Sequence, residues 1–246
     1  MHFDEVRAAV GNTPHMSAAQ GRVVYDHIAA ARSRRILELG FAHGTSTCYM
    51  AAALDDIGGE GHIVTIDNRN ALSRDPSIFD MLDRCGLAHR VTPVIADTSY
   101  TWELMGMLER DPQPRFDFVF VDGAHLWDVD GFAFLLADRL LVPGGWVLFD
   151  DLDWTLGTSP SLRNKEWVQA LPEEQRKMAQ VRKVFELLVR AHPEYTDFRD
   201  EDGWGWARKR PGRPWALRRR RGSSSARERY TSTRSLDSSR IHGGVD

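Results

Sequence analysis

Arg34-Arg35-Ile36-Leu37-Glu38-Leu39-Gly40-Phe41-Ala42-His43-Gly44-Thr45-Ser46 is the stretch that decides how this chain folds. A short aliphatic run ends in an acid and a glycine, and a helical pattern over Thr45 to Leu54 starts directly after the second glycine. Glycines at 40 and 44 let the backbone turn sharply and approach a ligand, and a helix N-terminus offers free N–H groups there. The spacing is GxxxG rather than GxGxxG, with Glu38 two residues before the first glycine. An acid in that place serves a dinucleotide pyrophosphate poorly. It serves a ligand bearing an ammonium group well, such as the methionine part of S-adenosylmethionine. A strand-to-helix turn also needs glycine whatever it binds, so the loop does not decide the ligand by itself.

Outward from this loop, apolar runs alternate with helical patterns. Ser17 to Arg32 has helical character, followed by a strand pattern over Arg34 to Leu39 and the helix over Thr45 to Leu54. Strand patterns over His62 to Asp67, Val91 to Ala96, Phe116 to Asp122 and Trp146 to Asp150 are separated by helices over Pro76 to Cys85, Thr101 to Glu109 and Gly131 to Leu140. This alternation predicts an α/β fold with a doubly wound, mostly parallel sheet. A long helix is expected over Pro172 to Arg190. Two last strands, Tyr195 to Arg199 and Trp204 to Lys209, flank an Asp-Glu-Asp-Gly turn and predict a C-terminal antiparallel hairpin.

Composition narrows the class. The chain has 246 residues, of which 42% are apolar and 27% charged, enough for one sizeable core. Its apolar runs are a handful of residues long, against the roughly 20 needed to span a bilayer. The start, MHFDEVRAAV, carries early acids and no apolar core, so no signal peptide is expected. Cys48 and Cys85 can form no disulfide framework and have no neighbours at metal-ligand spacing, which makes a cytoplasmic setting the expectation. The net charge of −3 is uneven: from Pro211 onward nine arginines face three acids, leaving −9 on residues 1–210. The division expected is an N-terminal helical cap over 1–33, the main domain over 34–210 and a disordered Arg/Ser-rich tail over 211–246.

In open parallel sheets ligands bind beyond the carboxyl ends of the strands. The second strand ends in Asp67, placed to accept hydrogen bonds from ribose hydroxyls. The third ends in Ala96-Asp97-Thr98, where a side-chain oxygen could take an adenine amino group or cap a helix. The fourth and fifth deliver Asp122, Asp150 and Asp151 to one edge, with adjacent strands only about 4.8 Å apart. Clustered carboxylates repel unless a cation neutralises them, and oxygen ligation points to Mg²⁺ or a similar divalent ion. His125 lies three residues beyond Asp122, beside that cation and the cleft. A dication would lower its pKa and favour the neutral imidazole, a candidate general base.

These residues resemble the class I S-adenosylmethionine-dependent methyltransferases, within them the metal-dependent O-methyltransferases, and most closely the macrocin-type sugar O-methyltransferase group. The resemblance covers roughly residues 30 to 155. It implies a Rossmann-like methyltransferase sheet completed by an antiparallel hairpin. It also implies S-adenosylmethionine bound by Glu38, Gly40, Gly44, Thr45, Ser46, Asp67, Asp97 and Thr98, and a metal on Asp122, Asp150 and Asp151. Catechol-type relatives carry Lys three residues after the first metal Asp and Asp-Asn in the second motif. This chain has His125 and Asp150-Asp151, as the sugar-modifying group does. The implied reaction is methyl transfer to a hydroxyl, in particular of a vicinal diol, on a small molecule such as a sugar or glycosylated natural product.

Three other readings compete. A nicotinamide-dependent oxidoreductase would share the sheet and Asp67 but lacks GxGxxG here. A cephalosporin-hydroxylase-like relative would share the strand-four and strand-five motifs. A non-catalytic module could bind anionic surfaces or nucleic acid through the basic tail, although the body is acidic. Residues 1–33 and 151–171, with Trp154 and Trp167, are candidates for lids or for contacts in a homo-oligomer.

Overall fold

The computed structural model describes residues 1–212. A seven-stranded sheet runs in the order β3-β2-β1-β4-β5-β7-β6. Its strands are β1 (Arg35–Leu39), β2 (His62–Asn68), β3 (Val91–Ala96), β4 (Phe116–Val121), β5 (Leu141–Phe149), β6 (Tyr195–Glu201) and β7 (Trp204–Lys209). The first five are parallel, β7 pairs antiparallel with β5, and β6 with β7. The chain steps outward from β1 to β3, then returns to place β4 on the other side of β1. The carboxyl ends of β1 and β4 therefore form the switch point where such sheets open a crevice.

Helices α1 (Phe3–Val10), α2 (Ala18–Ala31), α3 (Thr45–Ile57) and α4 (Ile78–Arg84) pack on one face. Helices α5 (Tyr100–Glu109) and α6 (Trp127–Leu140) pack on the other. The alternation of strand side chains sets this: Phe118 and Phe120 of β4 join the first core, Val119 and Val121 the second. Helix α2 begins with a capping box in which the Ser17 hydroxyl accepts from Gln20 N, matching the sequence reading of that helix. The two-residue turn Asp202-Gly203, both at positive φ (53° and 79°), closes the hairpin.

The structure departs from the sequence reading in three elements. Strand β5 begins at Leu141 rather than Trp146: Leu141 pairs with Phe116, and Pro143-Gly144-Gly145 form an irregularity within the strand instead of a turn before it. Helix α6 starts at Trp127 rather than Gly131, because the Asp130 carboxylate accepts from Leu126 N and the Gln180 side chain accepts from Trp127 N. The helix expected over Pro172 to Arg190 is broken into α8 (Glu173–Lys177), α9 (Gln180–Val184) and a π-helical turn over Phe185–Val189, preceded by the short α7 (Glu166–Gln169). Met178 is extended, which brings Gln180 to the start of α6. The tail expected to be disordered lies, from residue 213 on, outside the described residues.

Candidate active site

Backbone hydrogen bonds continue one residue past each strand end. Gly40 N donates to Ile66 O (2.8 Å), Asp122 N to Leu39 O (2.9 Å) and Asp150 N to Val121 O (3.0 Å), so these three residues form one row across the switch point. Gly40 is at φ +92°, and a Cβ there would lie 2.0 Å from the Asp122 carbonyl oxygen. The β1 loop can cross β4 this closely only without a side chain. The loop is tied down by Asp67, whose carboxylate accepts from Phe41 N (3.0 Å), Ala42 N (2.8 Å) and Asn68 N (2.7 Å). Above this row lies a cleft of about 420 Å³ whose lining includes Gly40, Thr45, Ser46, Asp67, Asp122, His125 and Asp151.

The metal-facing group is compact. Asp122, His125 and Asp151 each offer a ligand atom, and these atoms lie within 4.8 Å of one another. His125 Nε2 is 3.4 Å from Asp122 Oδ1 and 3.3 Å from Asp151 Oδ2. That nitrogen is buried without a hydrogen-bond partner, although two carboxylate oxygens face it. Two carboxylate groups converging on one point are an oxygen donor set for a cation, so Asp122 and Asp151 fit the divalent ion the resemblance implies, with His125 at its edge. His125 (φ +55°) and Asp151 (φ +54°) both adopt the left-handed conformation, uncommon for residues with side chains, and it turns them toward one another. Trp154 packs on the His125 ring at 4.8 Å between centroids.

Electrostatics follow from burial and crowding. Burial and the repulsion of Asp122 and Asp151 push the Asp150 carboxyl up, and burial does the same to Asp122 against the opposing pull of His125. Burial alone would lower the His125 pKa, but the facing Asp122 and Asp151 carboxylates outweigh it and push it up to about 9. With these anions as neighbours the shift runs opposite to the lowering expected of a histidine beside a dication.

Several expected contacts are placed differently. Asp150 stands outside the cluster: its Oδ1 accepts from the Trp204 indole and from Asp151 N (2.7 Å), so it supports the Asp151 turn from behind. Glu38 is fully buried beneath the cleft, where Ser46 Oγ (2.5 Å), Thr47 Oγ1 (2.5 Å) and Thr65 Oγ1 (2.6 Å) donate to it. These hydroxyls satisfy the carboxylate that was expected to meet an ammonium group. Asp97 is exposed and held by the Arg69 guanidinium (2.5 Å), and neither it nor Thr98 lines the cleft; Ser99 is the cap of α5.

Two buried residues escaped the sequence reading. The Tyr100 hydroxyl donates to Asp130 and accepts from Ala124 N (3.1 Å), while Asp130 Oδ2 accepts from Leu126 N (3.1 Å). The pair thus holds the residues on both sides of His125. No motif marks them, and only the helix register of Asp130, one turn into α6, could have hinted at the role.

A doubly wound, mostly parallel sheet closed by an antiparallel hairpin is the Rossmann-like methyltransferase fold. Residues 37–152 match the family model described as a methyltransferase domain. Comparison with curated proteins found no match. Among solved structures, similar folds include an O-methyltransferase from Bacillus cereus in complex with SAH, with 22% identity, coverage of 85% of this chain and 90% of that one, and a TM-score of 0.60. The O-methyltransferase TomG from Streptomyces achromogenes, involved in tomaymycin synthesis and in complex with SAM, has 24% identity, coverage of 85% and 89%, and a TM-score of 0.59. The SAH-bound Podospora anserina methyltransferase PaMTH1 has 19% identity, coverage of 84% and 86%, and a TM-score of 0.58. Among the described residues no helix is long and apolar enough to cross a membrane.

Proposed function

We propose that the protein transfers the methyl group of S-adenosylmethionine to a hydroxyl of a small molecule, with the help of a divalent cation. A sugar or a glycosylated natural product bearing vicinal hydroxyls is the acceptor class. The observation that carries this reading is the meeting, in one cleft, of the Gly40–Ser46 loop with the Asp122, His125 and Asp151 cluster. A cytoplasmic setting agrees with the two buried free thiols of Cys48 and Cys85.

In the cleft, the Gly40–Ser46 loop and the N-terminus of α3 present backbone N–H groups to the cofactor. Asp67 serves twice, since it braces the loop amides and faces the ribose. Asp122 and Asp151 are the carboxylates that would hold the cation, and Asp150 keeps Asp151 in its turn. A cation held there would supply Lewis acidity at the hydroxyl and, by neutralising Asp122 and Asp151, would favour the unprotonated His125. His125 Nε2 takes the hydroxyl proton as the oxygen–methyl bond forms and the sulfur–methyl bond breaks, which releases S-adenosylhomocysteine and, later, the proton to water. The turn braced by Tyr100 and Asp130 fixes the aim of that nitrogen, which is where orientation lowers the barrier.

The test is methyl transfer from labelled S-adenosylmethionine to a panel of sugars, glycosides and catechols, with and without chelator. Product that forms with Mg²⁺ or Mn²⁺ and falls with chelator and in His125→Ala supports the reading. Turnover indifferent to both removes the cation and the base from it.

A further inference from the structure

The amino ends of the parallel strands, away from the cleft, hold a second cavity of about 770 Å³. It is bounded by Ala30 and Ala31 of α2, by Asp117 of β4, and by Trp146, Arg199 and Arg208 of the outer strands. Trp146 stands opposite Arg208 in the β5–β7 pair, and Trp206 opposite Arg199 in the β6–β7 pair. Opposed residues share a sheet face, and Trp206 and Arg208 are two apart on β7, so all four side chains rise on one face.

Two guanidinium groups are gathered over one indole. Arg199 Cζ is 5.3 Å from the Trp146 ring centroid and 4.6 Å from that of Trp206, and Arg208 Cζ is 5.7 Å from Trp146. Cation–π contact leaves the edge N–H donors of each group available; Arg208 Nε donates to Gly144 O (3.1 Å), and its two Nη groups remain for a ligand. The nearby acids do not use them up. Glu201 Oε2 is 3.8 Å from Arg199 Nη1 and Asp197 Oδ2 is 3.8 Å from Arg208 Nη1, both beyond hydrogen-bond reach. Asp117 is turned to the backbone, where it accepts from Arg34 N (2.9 Å) and Arg35 N (3.0 Å). Arg199 Nε is buried and has no partner at all. The cavity lies within the usual range for small-molecule sites, and nothing in the methyl-transfer reading employs it.

We infer that this cavity binds a small molecule through an oxyanion, a carboxylate or a phosphate, whose oxygens bridge Arg199 and Arg208 while its body rests against Trp146. The planar fork of arginine matches both anions, and a charge-assisted bond to each guanidinium offsets the repulsion of placing two of them together. This inference does not rest on the proposed methyl transfer.

Isothermal titration of the full chain with inorganic phosphate and with citrate, at constant ionic strength, tests it. The expected result is one saturable site per chain for at least one probe, and the probe that binds names the source. Binding should weaken about tenfold in Arg199→Lys and in Arg208→Lys, which keep the charge and lose the fork, and should be unaffected by saturating S-adenosylhomocysteine. Thermal denaturation of the two variants confirms that they are folded. Absence of saturable binding by both probes, binding in both variants equal to that of the wild type, or displacement by S-adenosylhomocysteine each overturns the proposal.

Discussion

Tyr100 donates its hydroxyl hydrogen to Asp130 directly beneath the turn that carries His125, and the two residues are 8% and 1% exposed. Tyr100→Phe removes a donor to Asp130 and the acceptor of Ala124 N, and leaves a buried carboxylate short of a partner at a cost of about 1–3 kcal/mol. The expected outcome is a lower melting temperature together with a kcat reduced about 10- to 100-fold, while the dissociation constant of S-adenosylhomocysteine changes less than about threefold. Steady-state kinetics beside calorimetric titration separates the two effects. Equal losses in kcat and in cofactor affinity would mean that the pair supports the whole cleft rather than the His125 turn.

The carboxylate cluster makes a graded prediction. Asp122→Asn and Asp151→Asn each remove a charge that would hold the cation, so activity should require much higher Mg²⁺ or Mn²⁺ and fall at least about 100-fold at fixed metal. Trp204→Phe deletes a donor to Asp150 one step further away and should cost less, about tenfold. A metal titration of kcat for the three variants gives the order directly.

Gly40→Ala places a Cβ 2.0 Å from the Asp122 carbonyl oxygen at φ +92°. Neither backbone can yield without opening the switch point, so the substitution should cost more than about 3 kcal/mol and abolish cofactor binding. Chemical denaturation and titration with S-adenosylhomocysteine check both.

Glu38 and His27 pull the pH dependence of stability in opposite directions. Burial, opposed by the three hydroxyls, pushes Glu38 up from its ordinary 4.5 to about 7. The folded state therefore holds this proton more tightly than the unfolded chain. The resulting stability is fully present below about 4.5 and is lost as the pH rises to about 7. Burial and Arg199 push His27 down from 6.5 to about 4, so its stability contribution is present above about 6.5 and is lost as the pH falls to about 4. Relative to the wild type, Glu38→Gln should gain stability between pH 5 and 7 by up to ~3 kcal/mol, and His27→Phe should lose less stability on acidification. Denaturant midpoints at pH 5, 6 and 7 show the sign of each.

Much of the fold was legible because parallel strands buried on both faces read as continuous apolar runs. Phe116 to Val121 stands where such a run predicts. The elements that escaped depend on distant partners. Nothing local in Glu173 to Val189 announces a break. It follows from Gln180 reaching the start of α6. Strand β5 extends backward through a Pro-Gly-Gly sequence because Phe116 waits to pair with Leu141. At the site, backbone position was readable and side-chain direction was not. Strand ends place Asp122, Asp150 and Asp151 at one edge, but whether a carboxylate faces the cleft or turns away depends on competing donors. The Trp204 indole captures Asp150, three hydroxyls capture Glu38, and Arg69 captures Asp97.

The central claim is that this cleft binds S-adenosylmethionine and that the carboxylate cluster beside it holds a divalent cation for methyl transfer. Calorimetric titration of the purified protein with S-adenosylmethionine and, separately, with NAD⁺, each with and without Mg²⁺, tests it most directly. Saturable micromolar binding of S-adenosylmethionine, Mg²⁺ binding that is lost in the Asp122→Asn/Asp151→Asn double variant, and no heat from NAD⁺ are the results predicted here. Tight binding of NAD⁺ with none of S-adenosylmethionine would contradict the account.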